Sequence, residues 1–282
     1  MIDPLVPALL VDIAVAAVGA VFVRAQLAIH EGFDISLAAI ALLGGELMVA
    51  FVGAGGDPAV WAAAAIAAAG AGALLGGVWS GLLAAALGGH ADRSARVLIA
   101  SLGLATLASG GVGVARGPGI RQLVESGGFW ILPGHFAMAG LLCAGGLATV
   151  LIWASGRAGF EASLLDQDRE FARELGCGGR YIAVSSGLWC GAAVSLAGAA
   201  RAVISGTSAS AGMEMFLIAA AGALLLGRRG FRGAVLGAVI IASLHMAVLL
   251  IADPVWADFF VFGSLAMLLI FRGWDRTADK VR

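Results

Sequence analysis

Long apolar runs separated by short polar breaks make up most of this chain. A membrane-crossing helix needs about 20 mostly apolar residues. Nine segments answer to that pattern, at roughly 5–23, 35–53, 59–88, 97–115, 135–154, 181–204, 213–227, 232–252 and 256–271. The third is long enough to be tilted or broken, and the seventh is short. The pattern predicts an all-α polytopic membrane protein with 8–9 transmembrane segments, in one transmembrane domain over residues 1–282.

One long polar stretch interrupts the apolar runs, from Ser155 to Arg180. It holds Arg157, Arg169, Arg173 and Arg180 against Glu161, Asp166, Asp168, Glu170 and Glu174. Its centre, Ser163 to Gly176, reads as a short amphipathic helix. Ser163 is the candidate N-cap, Asp166 lies in the first turn and Gly176 is the stop. Leu164, Phe171 and Leu175 recur at i, i+7 and i+11, which places them on one face. Two readings stand: a helix that docks a partner at the cytoplasmic surface, or a solvated loop helix.

Basic residues orient the segments. Arg24, the pair Arg93 and Arg96, the arginines of 155–180, the group Arg228, Arg229 and Arg232, and the tail with Arg272, Arg276, Lys280 and Arg282 all fall on one side if the N-terminus is outside and the C-terminus inside. The opposite connections, 53–57, 205–212 and 252–256, carry no Lys or Arg. The exception is the loop with Arg116 and Arg121, which this orientation puts outside. A weak repeat points the same way. Residues 37–45 resemble 216–224, and a glycine-rich helix follows each (Gly76 to Gly81, Gly233 to Gly237). The two halves run in opposite directions, as in an inverted-repeat transporter with its pathway at the repeat interface.

Composition sharpens this picture. The chain has 282 residues, 61% hydrophobic and 12% charged, with a mean hydropathy of +0.99; a soluble domain has no use for so much apolar surface. Its 43 glycines suit close helix approach in lipid, where small residues drive packing. The net charge of −1 argues against nucleic-acid binding. Cys143, Cys177 and Cys190 show no metal-ligand or disulfide spacing, so neither is expected. The first residues lack a basic region, so no cleavable signal peptide is expected.

Ionisable groups inside the apolar segments need a reason, because each costs roughly 2.5–3.5 kcal/mol at the centre of a membrane helix. Asp12 reads as a structural group that meets a neighbouring helix. Glu46, after Gly44 and Gly45, lines a pathway or bonds between helices. His245 reads as a satisfied core histidine, and Arg201 as a snorkelling side chain. Two polar breaks are informative. In His30 to Ser36, Asp34 or Ser36 is placed to cap the next helix. In Ser205 to Glu214, the hydroxyls suit either solute contact or a plain loop. No phosphate-binding Gly-x-x-x-x-Gly-Lys-Ser/Thr loop, no His-Glu-x-x-His and no Gly-x-Ser-x-Gly occurs. The chain is therefore not expected to bind ATP through such a loop, nor to be an enzyme.

Several stretches resemble the permease subunits of ATP-binding-cassette importers, in the group that handles branched-chain amino acids, ribose and related solutes. His30 to Ile40 with Leu43, Gly44 and Gly45 is similar to that group's early motif, and Asp34, Ile35 and Ser36 lean toward its sugar-type form. Arg96 to Leu104 is similar to its Ile-Ala-Thr-Leu-Gly-Leu motif, with Ser101 for Thr. Ala172 to Gly176, leading to Ser195 to Ala199, resembles its coupling helix and following segment, and 227–237 resembles its late glycine pair and helix. The chain departs from the group in lacking the Asn-Phe-Ala-His-Gly form, in showing Glu161 and Ala162 where Arg-Ala is familiar, and in the pair Gly227 and Arg228.

The resemblance implies a non-enzymatic translocating subunit in a bacterial inner membrane, for a small polar solute. A branched-chain amino acid is implied first, a ribose-like sugar or nucleoside second. It implies a separate ATPase subunit that holds ATP and Mg, a second permease chain, identical or a sister, and an external solute-binding protein. No cofactor is implied on this chain. The ATPase-docking residues are then Leu164, Asp168, Phe171, Glu174, Leu175 and Gly176. The pathway-lining candidates are Asp34, Ser36, Glu46, Ser101, Thr207 and Glu214. A self-contained secondary transporter or channel is the alternative.

Overall fold

The structure, a computed structural model, describes residues 5–52, 57–87, 92–117, 119–120, 133–177, 179–226 and 230–251, with scattered positions between 256 and 267. Its elements are helices α1 (Leu5–His30), α2 (Ser36–Val52), α3 (Pro58–Leu87), α4 (Arg93–Arg116), α5 (Pro133–Ser155), α6 (Arg157–Gln167), α7 (Arg169–Glu174), α8 (Arg180–Ser205), α9 (Ala211–Leu225) and α10 (Gly230–Ile251). Helices thus stand over eight of the nine apolar segments, while 256–271 lies largely outside the described residues. Helices α1, α3, α4, α5, α8 and α10 are long and apolar enough to cross a membrane; α2 and α9 are apolar but shorter. This is a polytopic helical membrane protein.

Two helices differ instructively from the apolar pattern. Helix α1 runs seven residues past the expected end at 23, through Arg24, Gln26 and His30. It can do so because Arg24 is paired with Asp166, and Gln26 and His30 are buried against the bundle. Helix α3 is unbroken over 30 residues. At 1.5 Å per residue it is about 45 Å long, against roughly 30 Å of hydrocarbon, so it is long enough to cross at a tilt.

Helix α8 is the centre of the bundle. It packs on α3, α2 and α5, while α1 packs on α10, α9 and α8; α2 pairs with α3, and α9 with α10. At four glycines the contacts of α8 with α3 are backbone to backbone. A Cβ on Gly191 would lie 1.9 Å from Gly72 O, and one on Gly187 would lie 2.3 Å from Gly76 O. Each helix presents its pair one turn apart, Gly72 with Gly76 and Gly187 with Gly191. This is the small-xxx-small pattern that lets membrane helices meet closely. On its other side α8 meets α2 in the same way, where a Cβ on Gly198 would lie 2.0 Å from Ala41 O. Larger side chains fill the far wall. Trp153 of α5 stacks against Phe22 and Phe231, with ring centroids 5.3 Å and 5.4 Å apart, and its indole donates to Ser186 Oγ at 3.2 Å.

Gly191→Ala is expected to destabilise the protein by about 1–3 kcal/mol, the usual range for overpacking a close contact. Gly103→Ala, where an added Cβ meets nothing within 4 Å, leaves stability unchanged or slightly raised. Thermal unfolding of the two variants in one detergent measures the contrast.

Candidate functional site

The polar stretch folds as two short helices rather than the single helix that its spacing predicts. Asp168 separates them. Its backbone is extended (φ −145, ψ 102), its N–H closes α6 by donating to Leu164 O, and its side chain accepts from Phe171 N. An N-cap residue has a non-helical backbone, so the cap that starts α7 ends α6. The expected common face is divided accordingly. Leu164 is half-buried and packs on the bundle core, whereas Phe171 and Leu175 are 50% and 58% exposed. Asp168, Glu174 and Gly176 are exposed beside them. Gly176, at φ +74, stops the element as expected.

Ion pairs fasten this element to the ends of α1 and α4. Arg24 pairs with Asp166 at 2.6 Å. Glu31 accepts from both Arg169 and Arg173 of α7, and Arg93 of α4 lies 3.8 Å from it. Arg169 also donates to Ala28 O, one of the last-turn carbonyls that a helix leaves unsatisfied. Glu31 holds φ +62, the one positive-φ residue other than glycine among the described residues. Next to it, a Cβ on Gly32 would lie 2.9 Å from Ser94 Cα, so the α1–α2 turn presses directly on the first turn of α4.

The pathway candidates fall into three groups. Asp34, Ser36 and Ser101 gather at the α1–α2 turn. Asp34 accepts from Ser36 N at 3.0 Å, the cap expected for α2, and from Trp79 Nε1 at 3.2 Å. Ser101 Oγ donates to Leu98 O at 3.1 Å and lies 3.4 Å from Phe33 O. All three are buried. Burial pushes the Asp34 carboxyl above its usual range, against the lowering effect of its bonds to Ser36 and Trp79. At the other end of α2, Glu46 pairs with Arg116 and accepts from Thr207 Oγ1 at 3.2 Å. Glu46 thus bonds between helices, and its partner is an arginine that the orientation rule treats as an exception. Glu214 stands apart. It accepts from Arg201 at 2.5 Å, and a small cavity beside this pair is lined by Asp12, Arg201 and His245.

Sequence reasoning missed Arg201, read as snorkelling, and Trp79, whose indole is a donor to Asp34. Periodicity carries no signal for either partner. Among the described residues no cluster of His, Cys, Asp and Glu is placed to hold a metal ion, and the three cysteines are free. No protein-family model, curated protein or solved structure matches this chain.

Two substitutions test these assignments. Arg116→Gln leaves Glu46 with Thr207 as its remaining partner and is expected to cost about 1–3 kcal/mol, with the double variant Glu46→Gln, Arg116→Gln recovering much of it; unfolding of the three variants measures this. Asp34→Asn keeps the acceptor oxygen. Because the folded carboxyl pKa is raised, the wild-type contribution is present at low pH and lost as pH rises through that pKa. The Asn variant is therefore expected to gain on wild type as pH rises, in melting curves taken from pH 4 upward.

Proposed function

We propose that the chain is the membrane-spanning permease subunit of an ATP-binding-cassette importer in a bacterial inner membrane. The observation that carries this reading is the α6–α7 element. It is short and polar, yet Phe171 and Leu175 stand exposed on it, rimmed by Asp168 and Glu174, on a support fixed by ion pairs to α1 and α4. Apolar anchors ringed by charge suit docking into a pocket of a partner subunit. That partner is the ATPase, which holds ATP and Mg at its own site.

On this reading, movement of the docked ATPase reaches the bundle through Glu31 and Asp166, which tie the element to the α1–α2 turn and to α1 itself. The exposed apolar side chains of α3, α4 and α5, such as Ile66, Leu107 and Leu141, meet lipid and a second permease chain. The end of the bundle with Glu46 and Thr207 faces outward, toward a solute-binding protein. With that orientation, N-terminus outside and C-terminus inside, Arg116 serves Glu46, which supports treating it as a paired group rather than a topology signal. The helices α2 and α9 and the segment 256–271 complete 8–9 spans. An inverted repeat is supported by an exchange of partners: α1 packs on α9 and α10 as α8 packs on α2 and α3. The solute is small and neutral or zwitterionic, branched-chain amino acid-like, with a ribose-like sugar or nucleoside as the alternative.

A second reading, a self-contained secondary transporter, is favoured by the group of Asp12, Arg201, Glu214 and His245, since ionisable groups within membrane helices serve coupled transport.

Phe171→Asp and Leu175→Asp are each expected to abolish co-purification with the ATPase while membrane insertion is retained. Both variants still binding the ATPase at wild-type level contradicts the docking role.

A further inference from the structure

At the end of the bundle away from α6 and α7, four ionisable side chains meet, one from each of four helices. At 1.5 Å per residue, Asp12 lies about 10 Å inside the start of α1, Arg201 about 6 Å inside the end of α8, Glu214 about 5 Å inside the start of α9 and His245 about 9 Å inside the end of α10. The four thus share one depth, one to two turns below the helix ends. Asp12, Arg201 and His245 line a cavity of about 20 Å³ whose remaining wall is apolar, with Val15, Met215 and Ile218 in it. A water needs about 10–15 Å³, so the space takes one.

Glu214 is outside this wall but binds a residue in it. It accepts from Arg201 at 2.5 Å, and another guanidinium nitrogen of Arg201 lies 3.3 Å from Ala211 O. Asp12 therefore shares its guanidinium neighbour with a second carboxylate. Arg201, Glu214 and His245 are the charged and titratable groups that act on Asp12 from α8, α9 and α10. From α5 the Cys143 thiol faces it and brings no positive charge. With both carboxylates ionised and the imidazole neutral, the four side chains carry a net charge of −1. One added cation brings them to zero, which a membrane environment favours.

The wall selects the cation. A hard metal ion takes about six oxygen ligands. This wall offers one oxygen-bearing side chain, Asp12, beside a guanidinium that repels a metal. A proton needs only a basic atom, and the Asp12 carboxylate and the His245 ring border the same one-water space. A second gap of about 10 Å³ shares Arg201 and Met215 with the first and reaches Gly206 and Thr207 in the α8–α9 connection. That connection is flanked by the exposed residues Ser205 and Ser210, so the site has a short way to the end of the bundle.

We propose that Asp12 and His245 bind one exchangeable proton between them and titrate as a unit, with Arg201 held beside them by Glu214. The site stands under either reading of the chain. In an importer the proton sets the charge at this end of four helices. In a secondary transporter it is the coupled ion, a role that rests on that reading.

The full chain in mild detergent is titrated over roughly pH 4–10, the range that spans carboxyl and imidazole titration. Two signals are followed: the infrared band of a protonated carboxyl that Asp12→Asn removes, and the ring-nitrogen resonances that His245→Gln removes. Both are expected to change at the same pH. Asp12→Asn is expected to cut the proton affinity of His245 about tenfold, the level at which two sites count as coupled. Glu214→Gln should cut it by less, and His135→Gln, packed against Trp61, should leave both signals unchanged. A His245 signal that titrates identically in wild type and Asp12→Asn overturns the shared proton. So does a carboxylate that stays ionised beside an imidazole that stays neutral over the whole range. A step that moves when sodium replaces potassium at constant ionic strength assigns the site to a metal cation, which also overturns it. Should the Asn variant fail to fold, Asp12→Glu takes its place: the longer side chain shifts the His245 step if the two share a proton, and an unshifted step contradicts the pair. None of these failures touches the docking role of α6–α7, which co-purification reads separately.

Discussion

Helix α8 meets α3 and α2 through glycines that bring the backbones into contact, with Ser195 Oγ donating to Ala68 O across the first of these seams. In lipid, apolar surface gains nothing by leaving one hydrocarbon environment for another, so helices hold together by close packing and a few polar contacts. The glycines at 72, 76, 187 and 191 supply that closeness, and Gly198 against Ala41 repeats it on the other side. With α8 fixed between α2 and α3, both ends of α2 are fixed as well. Its far half then holds Glu46 against Arg116 and Thr207.

The two ends of the bundle have different chemistry. One end is built from arginines that bind elements distant in sequence: Arg24, Arg93, Arg169 and Arg173 join α1, α4 and α6–α7 through two carboxylates. The other end has single pairs, Glu46 with Arg116 and Glu214 with Arg201, each buried or partly buried between helices. The first end presents exposed apolar side chains at Phe171 and Leu175. Such a surface suits a protein partner. This asymmetry, more than any single residue, supports a subunit driven from one side.

Much of the fold was legible because hydrocarbon imposes its own grammar: apolar runs of sufficient length became helices wherever they occur in the described residues. The Asp34 cap was legible too, since a short acidic side chain two residues before a helix can reach its first N–H. The break at Asp168 was not. The spacing of Leu164, Phe171 and Leu175 fits one continuous helix, and only the local capping choice of Asp168 divides it. Ion-pair partners were the least legible. The charges of 155–180 look balanced among themselves, yet Arg169 and Arg173 turn to Glu31, and Asp166 to Arg24, more than a hundred residues away in the chain. Composition records that charges are present, not which ones the packing of α8 brings together.

On the proposed reading, a separate ATPase bound at α6–α7 drives this chain. Co-expression with the ATPase and any sister permease encoded beside it, followed by mild-detergent purification on a tag carried by this chain, tests it most directly. A stable complex with ATPase activity is expected. A folded, monodisperse chain that purifies alone and still passes solute in liposomes contradicts it.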